Sequence, residues 1–364
     1  LIVCENEADV NSLGKIVRLV IESSETPYEI FQDLQQRSDG MRVLVTGGAG
    51  YIGSVIVEEL IHAGHEATVY DSLARGHIDA VHPEARLICG MAQDRGLLVQ
   101  TLRERQIEAV IHMAALIEVG ESVRQPEIFY QNNVVGSLEV VRAMIEADVK
   151  KLVFSSTAAL YGDPQHVPIA EDDLTVPTNP YGESKLAVER MLRWLAEAHG
   201  FRATALRYFN AAGATEMNGE DHRPESHLIP IVLRAAQTGA ELHINGTDYP
   251  TKDGTCVRDY VHVLDLAQAH LLALGQQTPG LSVYNVGNGE GFSVREVMTT
   301  TEQVTGIKLN IVEGPRRAGD QIATVASATK IRRELGWTPQ HAGLATIIGS
   351  AWQWRQAHPQ GYRR

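Results

Sequence analysis

Cysteine, long apolar runs and positive charge are all scarce in this 364-residue chain, and each shortage excludes something. The three cysteines, Cys4, Cys89 and Cys256, are scattered and odd in number. They make neither a disulfide framework nor a metal-binding set, so a reducing compartment follows and no metal is expected. No apolar run approaches the roughly 20 residues of a membrane-spanning helix. The early stretch Ile16–Ile21 is short and broken by Arg18, a poor signal peptide. Lys and Arg number 32 against 45 Asp and Glu, a formal charge of −13. That balance argues against nucleic acid or an anionic membrane as partners. Internal repeats and low-complexity tracts are also missing. The reading is a soluble cytoplasmic protein, with 44% hydrophobic residues to fill two lobes or one elaborated domain.

Residues 1–40 stand apart, with eight acids, three bases and a turn-like close at Ser38-Asp39-Gly40. Met41 directly precedes the first convincing strand. The expectation is that the natural chain starts there and that 1–40 is an extension; a docking helix over Val10–Glu22 is the alternative. From residue 42, short apolar strands alternate with amphipathic helices, the pattern of a parallel sheet covered on both faces. Strands are expected over Arg42–Thr46, Glu66–Tyr70, Arg86–Cys89, Ala109–His112, Lys151–Ser155 and Arg202–Arg207. Helices are expected over Ile52–His62, Gly96–Arg105, Asn133–Ala147 and Tyr181–His199. After Asn210 the alternation loosens into polar loops at Glu216–Pro224, Gly246–Thr255 and Gly314–Asp320. The fold class is therefore α/β, a Rossmann-like doubly wound sheet over 41–210. A smaller α/β lobe for substrate fills most of 211–364, with some segments returning to the sheet.

Thr46-Gly47-Gly48-Ala49-Gly50-Tyr51-Ile52-Gly53 follows the first strand and opens a helix. Glycines suit this place because the chain turns tightly, approaches a pyrophosphate and packs helix on strand. The helix start adds amide donors and the positive end of its dipole. Asp71 closes the next strand 18 residues after Gly53, where a carboxylate accepts from ribose hydroxyls and repels a 2′-phosphate. NAD is thus favoured over NADP.

Tyr181-Gly182-Glu183-Ser184-Lys185 places a phenol and an ammonium one helical turn apart, on one face. Asn179 and Pro180 read as N-cap and first helical residue. A phenol of pKa about 10 is a poor base at neutral pH, and a fixed cation nearby favours its phenolate. Thr157 ends the fifth strand, at the carboxyl edge where such sheets bind ligands. Strand-end Thr, Tyr-x-x-x-Lys and a glycine loop together describe a nicotinamide enzyme in which tyrosine moves a proton.

These features, from Met41 nearly to the C-terminus, resemble the extended short-chain dehydrogenases/reductases of the NAD-dependent epimerase/dehydratase family, UDP-glucose 4-epimerases most closely. The resemblance includes Val119-Gly120-Glu121-Ser122, Tyr161-Gly162-Asp163, Arg207-Tyr208-Phe209-Asn210 and Asp248-Tyr249-Pro250-Thr251. The run Asp253-Gly254-Thr255-Cys256-Val257-Arg258-Asp259-Tyr260-Val261-His262-Val263 is long and specific to sugar-nucleotide 4-epimerases, and His358-Pro359-Gln360-Gly361-Tyr362 resembles that family's end. Dehydratases carry Asp-Glu after the strand-end threonine, where this chain has Ala158-Ala159. The resemblance implies reversible 4-epimerisation of UDP-galactose and UDP-glucose through a 4-keto sugar, with NAD retained. Tyr181, Lys185 and Thr157 would be catalytic. Cofactor contacts would be Gly47, Gly50, Tyr51, Ile52, Gly53, Asp71, Ser72, Met91, Ala92, Met113, Ala114, Ala115, Ile117, Asn132 and Phe209, together with the catalytic three. Substrate would meet Thr157, Tyr181, Asn210, His227, Leu228, Asn245, Arg258, Arg317, Asp320 and Thr324. A homodimer through the helices after the fourth and fifth strands is implied as well.

Four positions depart from the family pattern. Met91 stands where an aspartate usually reads the adenine amine, a loss on the order of 1 kcal/mol, about fivefold in affinity. Ile117 replaces a lysine of some members, and Asn245 replaces an aromatic near the uracil. Thr324 replaces a bulky tyrosine and leaves room for an N-acetyl group. The alternatives are therefore 4-epimerisation of UDP-N-acetylglucosamine or a UDP-pentose, or a non-catalytic NAD-binding protein.

Overall fold

Along the first strand, β1 (Arg42–Thr46), Val43 and Val45 enter one apolar cluster and Leu44 enters another. A strand buried on both faces has no polar side, which is why its sequence is an unbroken apolar run. The computed structural model describes residues 40–317 and 319–363. The expectations for 1–39, including the Val10–Glu22 helix, lie outside the described residues.

Five more strands follow the first: β2 (Glu66–Asp71), β3 (Arg86–Cys89), β4 (Ala109–His112), β5 (Lys151–Thr157) and β6 (Arg202–Tyr208). With Gly280–Val286 they form a seven-stranded sheet, all parallel, in the order Gly280–Val286, β6, β5, β4, β1, β2, β3. Helices Tyr51–His62 and Val263–Leu274 cover the Val43 face; Arg95–Glu104, Gly136–Glu146 and Pro180–His199 cover the other. This is the doubly wound α/β fold expected. Strand order reverses between β1 and β4, so their carboxyl ends part and open a crevice for ligand.

The elements differ from expectation mainly at their ends. β2, β5 and β6 extend one or two residues further, because Ser156, Thr157 and Tyr208 continue the ladder although polar residues read as loop. The helix expected from Asn133 starts at Gly136, after a π-helical turn over Tyr130–Val135. Gly280–Val286 was not among the expected strands. It pairs with β6 from Gly280↔Arg202 to Val286↔Tyr208.

The later chain adds small sheets that rim the crevice. Asn210–Ala212 pairs with Tyr260–His262, and Val257–Arg258 lies between Phe292–Ser293 and Ala323–Thr324. Glu241–Asn245 pairs with Asn310–Gly314 at a distance from them. Helices Leu228–Thr238, Val294–Thr305 and Leu344–Ala357 pack behind, the second started by a reciprocal Ser293–Glu296 capping box. Among the described residues no helix is long and apolar enough to cross a membrane.

Candidate active site

Glycine is required twice where β1 hands over to its helix. Gly47 has φ +71°, and a Cβ there would lie 2.7 Å from the Ala114 nitrogen of the neighbouring strand end. A Cβ at Gly53 would lie 2.2 Å from the Gly47 carbonyl oxygen. The loop is thus drawn tight against β4 and the helix, and Gly47, Gly50 and Gly53 line the crevice at the helix start, where such folds bind a pyrophosphate. Asp71, at the end of β2, braces the loop: its carboxylate accepts from Ala49 N at 3.0 Å and from Leu73 N at 2.8 Å. Burial raises its pKa, opposed by those two amides and by His77.

On the far side of the crevice β5 ends in Ser155, Ser156 and Thr157, and helix Pro180–His199 descends beside it. Asn179 caps that helix, accepting from Gly182 N at 2.9 Å, and Pro180 occupies its first turn. Gly182 permits the approach, since a Cβ there would lie 2.7 Å from the Ala159 carbonyl oxygen. Tyr181 therefore reaches the cavity wall beside Thr157. Burial pushes its phenol up to about 12; the Thr157 hydroxyl lowers it and Glu118 raises it. Lys185 Nζ donates to the Ser155 carbonyl oxygen at 2.7 Å and lies 4.9 Å from the centre of the Phe154 ring. Burial brings its ammonium down to about 7, with Glu189 pulling upward. The expectation that Lys185 lowers the tyrosine pKa is not met in this state, because its head is turned to Ser155 and desolvation governs the phenol.

Residues 43–287 match the NAD dependent epimerase/dehydratase family. The chain belongs to this family. It is similar to UDP-glucose 4-epimerase of Halalkalibacterium halodurans, 50% identical over 327 residues that cover 88% of this chain and 98% of the relative. Among solved structures it resembles the Brucella ovis UDP-glucose 4-epimerase in complex with NAD (42% identity, TM-score 0.84, 86% and 98% coverage). The Bifidobacterium longum enzyme in complex with NAD⁺ and UDP is similar too, at 36% identity and TM-score 0.84, with 88% and 100% coverage.

The crevice of this epimerase/dehydratase family member is a cavity of about 510 Å³. It brings together every residue expected at the cofactor outside the catalytic three: Gly47, Gly50, Tyr51, Ile52, Gly53, Asp71, Ser72, Met91, Ala92, Met113, Ala114, Ala115, Ile117, Asn132 and Phe209. Asp71, the glycine cradle and the apolar strand ends fit a dinucleotide. Met91 is 59% exposed at the rim, an apolar surface without an acceptor. Thr157, Tyr181, Asn210, His227, Arg258 and Thr324 line it too. Arg258 Nη1 donates to the carbonyl oxygens of Val257 at 2.9 Å and Gln321 at 2.8 Å, which holds the guanidinium in the wall.

Five expected site residues do not line the cavity. Lys185 lies behind the wall, 2% exposed. Leu228 packs into the apolar cluster under its helix, and Asn245 is exposed at the end of its strand. Arg317 and Asp320 pair with each other at 2.7 Å on a loop. Residues not foreseen do line it: Glu118, Tyr208, Glu220, Asp221, His222, Gln321 and Tyr362. The run from Glu220 to His227, dense in acids and histidines, is the signal that sequence reading could have used.

Proposed function

We propose that this protein interconverts UDP-galactose and UDP-glucose by reversible 4-epimerisation through a 4-keto sugar, with NAD as resident cofactor. One observation carries the reading: Thr157 and Tyr181 meet at the end of β5, across the crevice from the glycine loop. Ala158 and Ala159 follow, so the two positions that carry Asp-Glu in dehydratases hold no acid or base here. NAD, when bound, would supply the acceptor and then the donor of the C4 hydride, and the 4-keto sugar must turn its other face to the cofactor between the two transfers. Tyr181 takes the 4′-hydroxyl proton and later restores it. Thr157 orients that hydroxyl. By family resemblance Lys185 would hold the cofactor ribose, which requires its head, bonded to the Ser155 carbonyl oxygen behind the wall, to turn toward the cavity. Asn210, His227 and Arg258 face the nucleotide diphosphate, with Arg258 suited to paired contacts. The test is to denature the purified protein, identify the released nucleotide, and incubate native protein with UDP-galactose. Release of NAD and formation of UDP-glucose support the reading; a protein that holds no dinucleotide and makes no product defeats it.

Thr324, 8% exposed in the cavity wall, favours UDP-N-acetylglucosamine as a second substrate. Thr324→Tyr is expected to lower kcat/KM on the N-acetylated sugar about tenfold or more while changing UDP-galactose turnover little, a size-exclusion effect of pocket volume. Wild-type protein idle on both N-acetylated epimers would reject the second substrate.

The family-implied homodimer is supported by apolar side chains open to solvent after β4 and β5: Val123 is 63% exposed, Ile128 44% and Trp194 71%. Sedimentation should return twice the 39.9 kDa chain mass, and Val123→Glu should shift it toward monomer. A monomeric wild-type protein would remove this part of the proposal. The scattered cysteines support work in the cytoplasm.

A further inference from the structure

Glu220, His222, Glu225 and His227 converge where the loop before helix Leu228–Thr238 reaches the cavity. Glu220 Oε1 lies 3.0 Å from His222 Nδ1 and 2.7 Å from His227 Nδ1, and Glu225 Oε1 lies 3.0 Å from His227 Nδ1. One donor atom from each of the four residues falls within 4.8 Å of all the others. The two carboxylates are nearly shut from water, with side chains 7% exposed, whereas the imidazoles are 25% and 43% exposed. Paired carboxylates withdrawn from water require a positive partner. Among the described residues neither glutamate has a Lys or Arg ion-pair partner. Arg223, the nearest in sequence, directs its guanidinium to Asp221 and to the carbonyl oxygens of Gln360 and Tyr362. The two histidines are the only basic side chains paired with these acids among the described residues.

We propose that this His₂Glu₂ cluster binds a divalent transition metal of the zinc type, which clamps the loop 220–227 to the start of helix Leu228–Thr238. Two imidazole nitrogens and two carboxylate oxygens suit zinc or cobalt, whereas magnesium and calcium take oxygen sets. Metal–ligand bonds of about 2.0–2.2 Å put tetrahedral ligands roughly 3.3–3.6 Å apart, so the pairs at 2.7 and 3.0 Å must open and those that reach 4.8 Å must close by about 1 Å as the loop settles on the ion. Each imidazole presents Nδ1, and binding releases any proton held there to solvent. The surroundings orient the ligands. The amides of Ser226 and His227 each donate to Glu225 Oε1 at 2.8 Å, and the Tyr51 ring meets the His222 ring edge-on, centroids 6.2 Å apart. Through Tyr51 and His227 the ion touches both the cofactor side and the substrate side of the cavity. This departs from the sequence reading, which assigns no metal because the three scattered cysteines make no metal-binding set.

The test is titration of chelator-treated full-length protein with Co²⁺, followed by visible absorption and by proton release into weak buffer. The expected result is one equivalent per chain, the intense ligand-field bands of a four-coordinate ion, and displacement by Zn²⁺ but not Mg²⁺. In wild-type protein, paramagnetically shifted resonances should come from two imidazoles. His222→Ala and Glu225→Gln should each abolish stoichiometric uptake and the rise in Tm that Zn²⁺ gives the wild type. No stoichiometric uptake, a six-coordinate oxygen-type spectrum, or uptake surviving in both variants would overturn the site. The wild-type spectrum and shifted imidazoles decide the matter even if a variant fails to fold.

Discussion

Tyr181→Phe is expected to lower kcat about a thousandfold, within the 10²–10⁴ range of positioned acid–base groups, while leaving NAD and UDP affinity nearly unchanged. The substitution removes one oxygen and keeps the ring that fills the wall between Thr157 and Glu118. Without the phenol nothing else at the end of β5 matches the task. Thr157 already accepts from the Ala159 amide at 3.1 Å, and Lys185 is turned to Ser155. The phenol, held near 12 by burial in this state, is a weak base until a positive charge stands beside it. Ligand binding is therefore part of activating the base, and the variant separates the two. Steady-state assay of UDP-galactose conversion, with calorimetry for NAD and UDP, checks it. Turnover close to wild type would remove Tyr181 from its assigned role. Loss of affinity in step with kcat would assign it to binding instead.

The parts of the molecule that one short segment determines were legible before the structure. The glycine loop is such a case: Gly47 turns at φ +71°, a Cβ at Gly53 would collide with Gly47 O within the same loop, and the strand before it is apolar because both faces are buried. Asn179 and Pro180 likewise announce their helix by local chemistry, and the structure places both where capping demands. Features made by distant segments were not legible. Gly280–Val286 enters the main sheet only because β6 offers an open edge, although its Gly start and the run Val283-Tyr284-Asn285-Val286 carry a strand signal. The Glu220–His227 run is local and carries a signal in its acids and histidines, which the sequence reading passes over. The polar ends of β5 and β6 look like loop because their burial comes from partners distant in sequence, Glu189 for Ser156 and His270 for Tyr208, not from their own pattern.

Arg207→Met should be the most destabilising single change near the site, by about 3–5 kcal/mol, because it strands a buried carboxylate. Arg207, on β6, donates to Glu189 through Nε at 3.0 Å and Nη2 at 2.7 Å; the side chains are 7% and 5% exposed. Its other nitrogen donates to the Tyr161 hydroxyl at 2.7 Å and the Glu171 carbonyl at 3.1 Å. Tyr161 passes its own hydrogen to Asn285 at 2.7 Å, and Ser156 donates to Glu189. One guanidinium thus joins β5, β6, strand Gly280–Val286 and the helix that carries Tyr181. Desolvation lowers the Arg207 pKa and the Glu189 contacts more than reverse it, so the charge stays on and Glu189 keeps its counter-ion. Replacing both partners, as in Arg207→Met with Glu189→Leu, removes the stranded charge and should restore most of the lost stability. Denaturant unfolding of the two singles and the double gives the coupling directly. If the pair works as described, Arg207→Met also lowers kcat, because Ser156 adjoins Thr157 and the wall bearing Tyr181 loosens with it. A double variant no more stable than the singles would mean that hydrogen-bond geometry at Ser156 and Tyr161, rather than charge, holds this corner together.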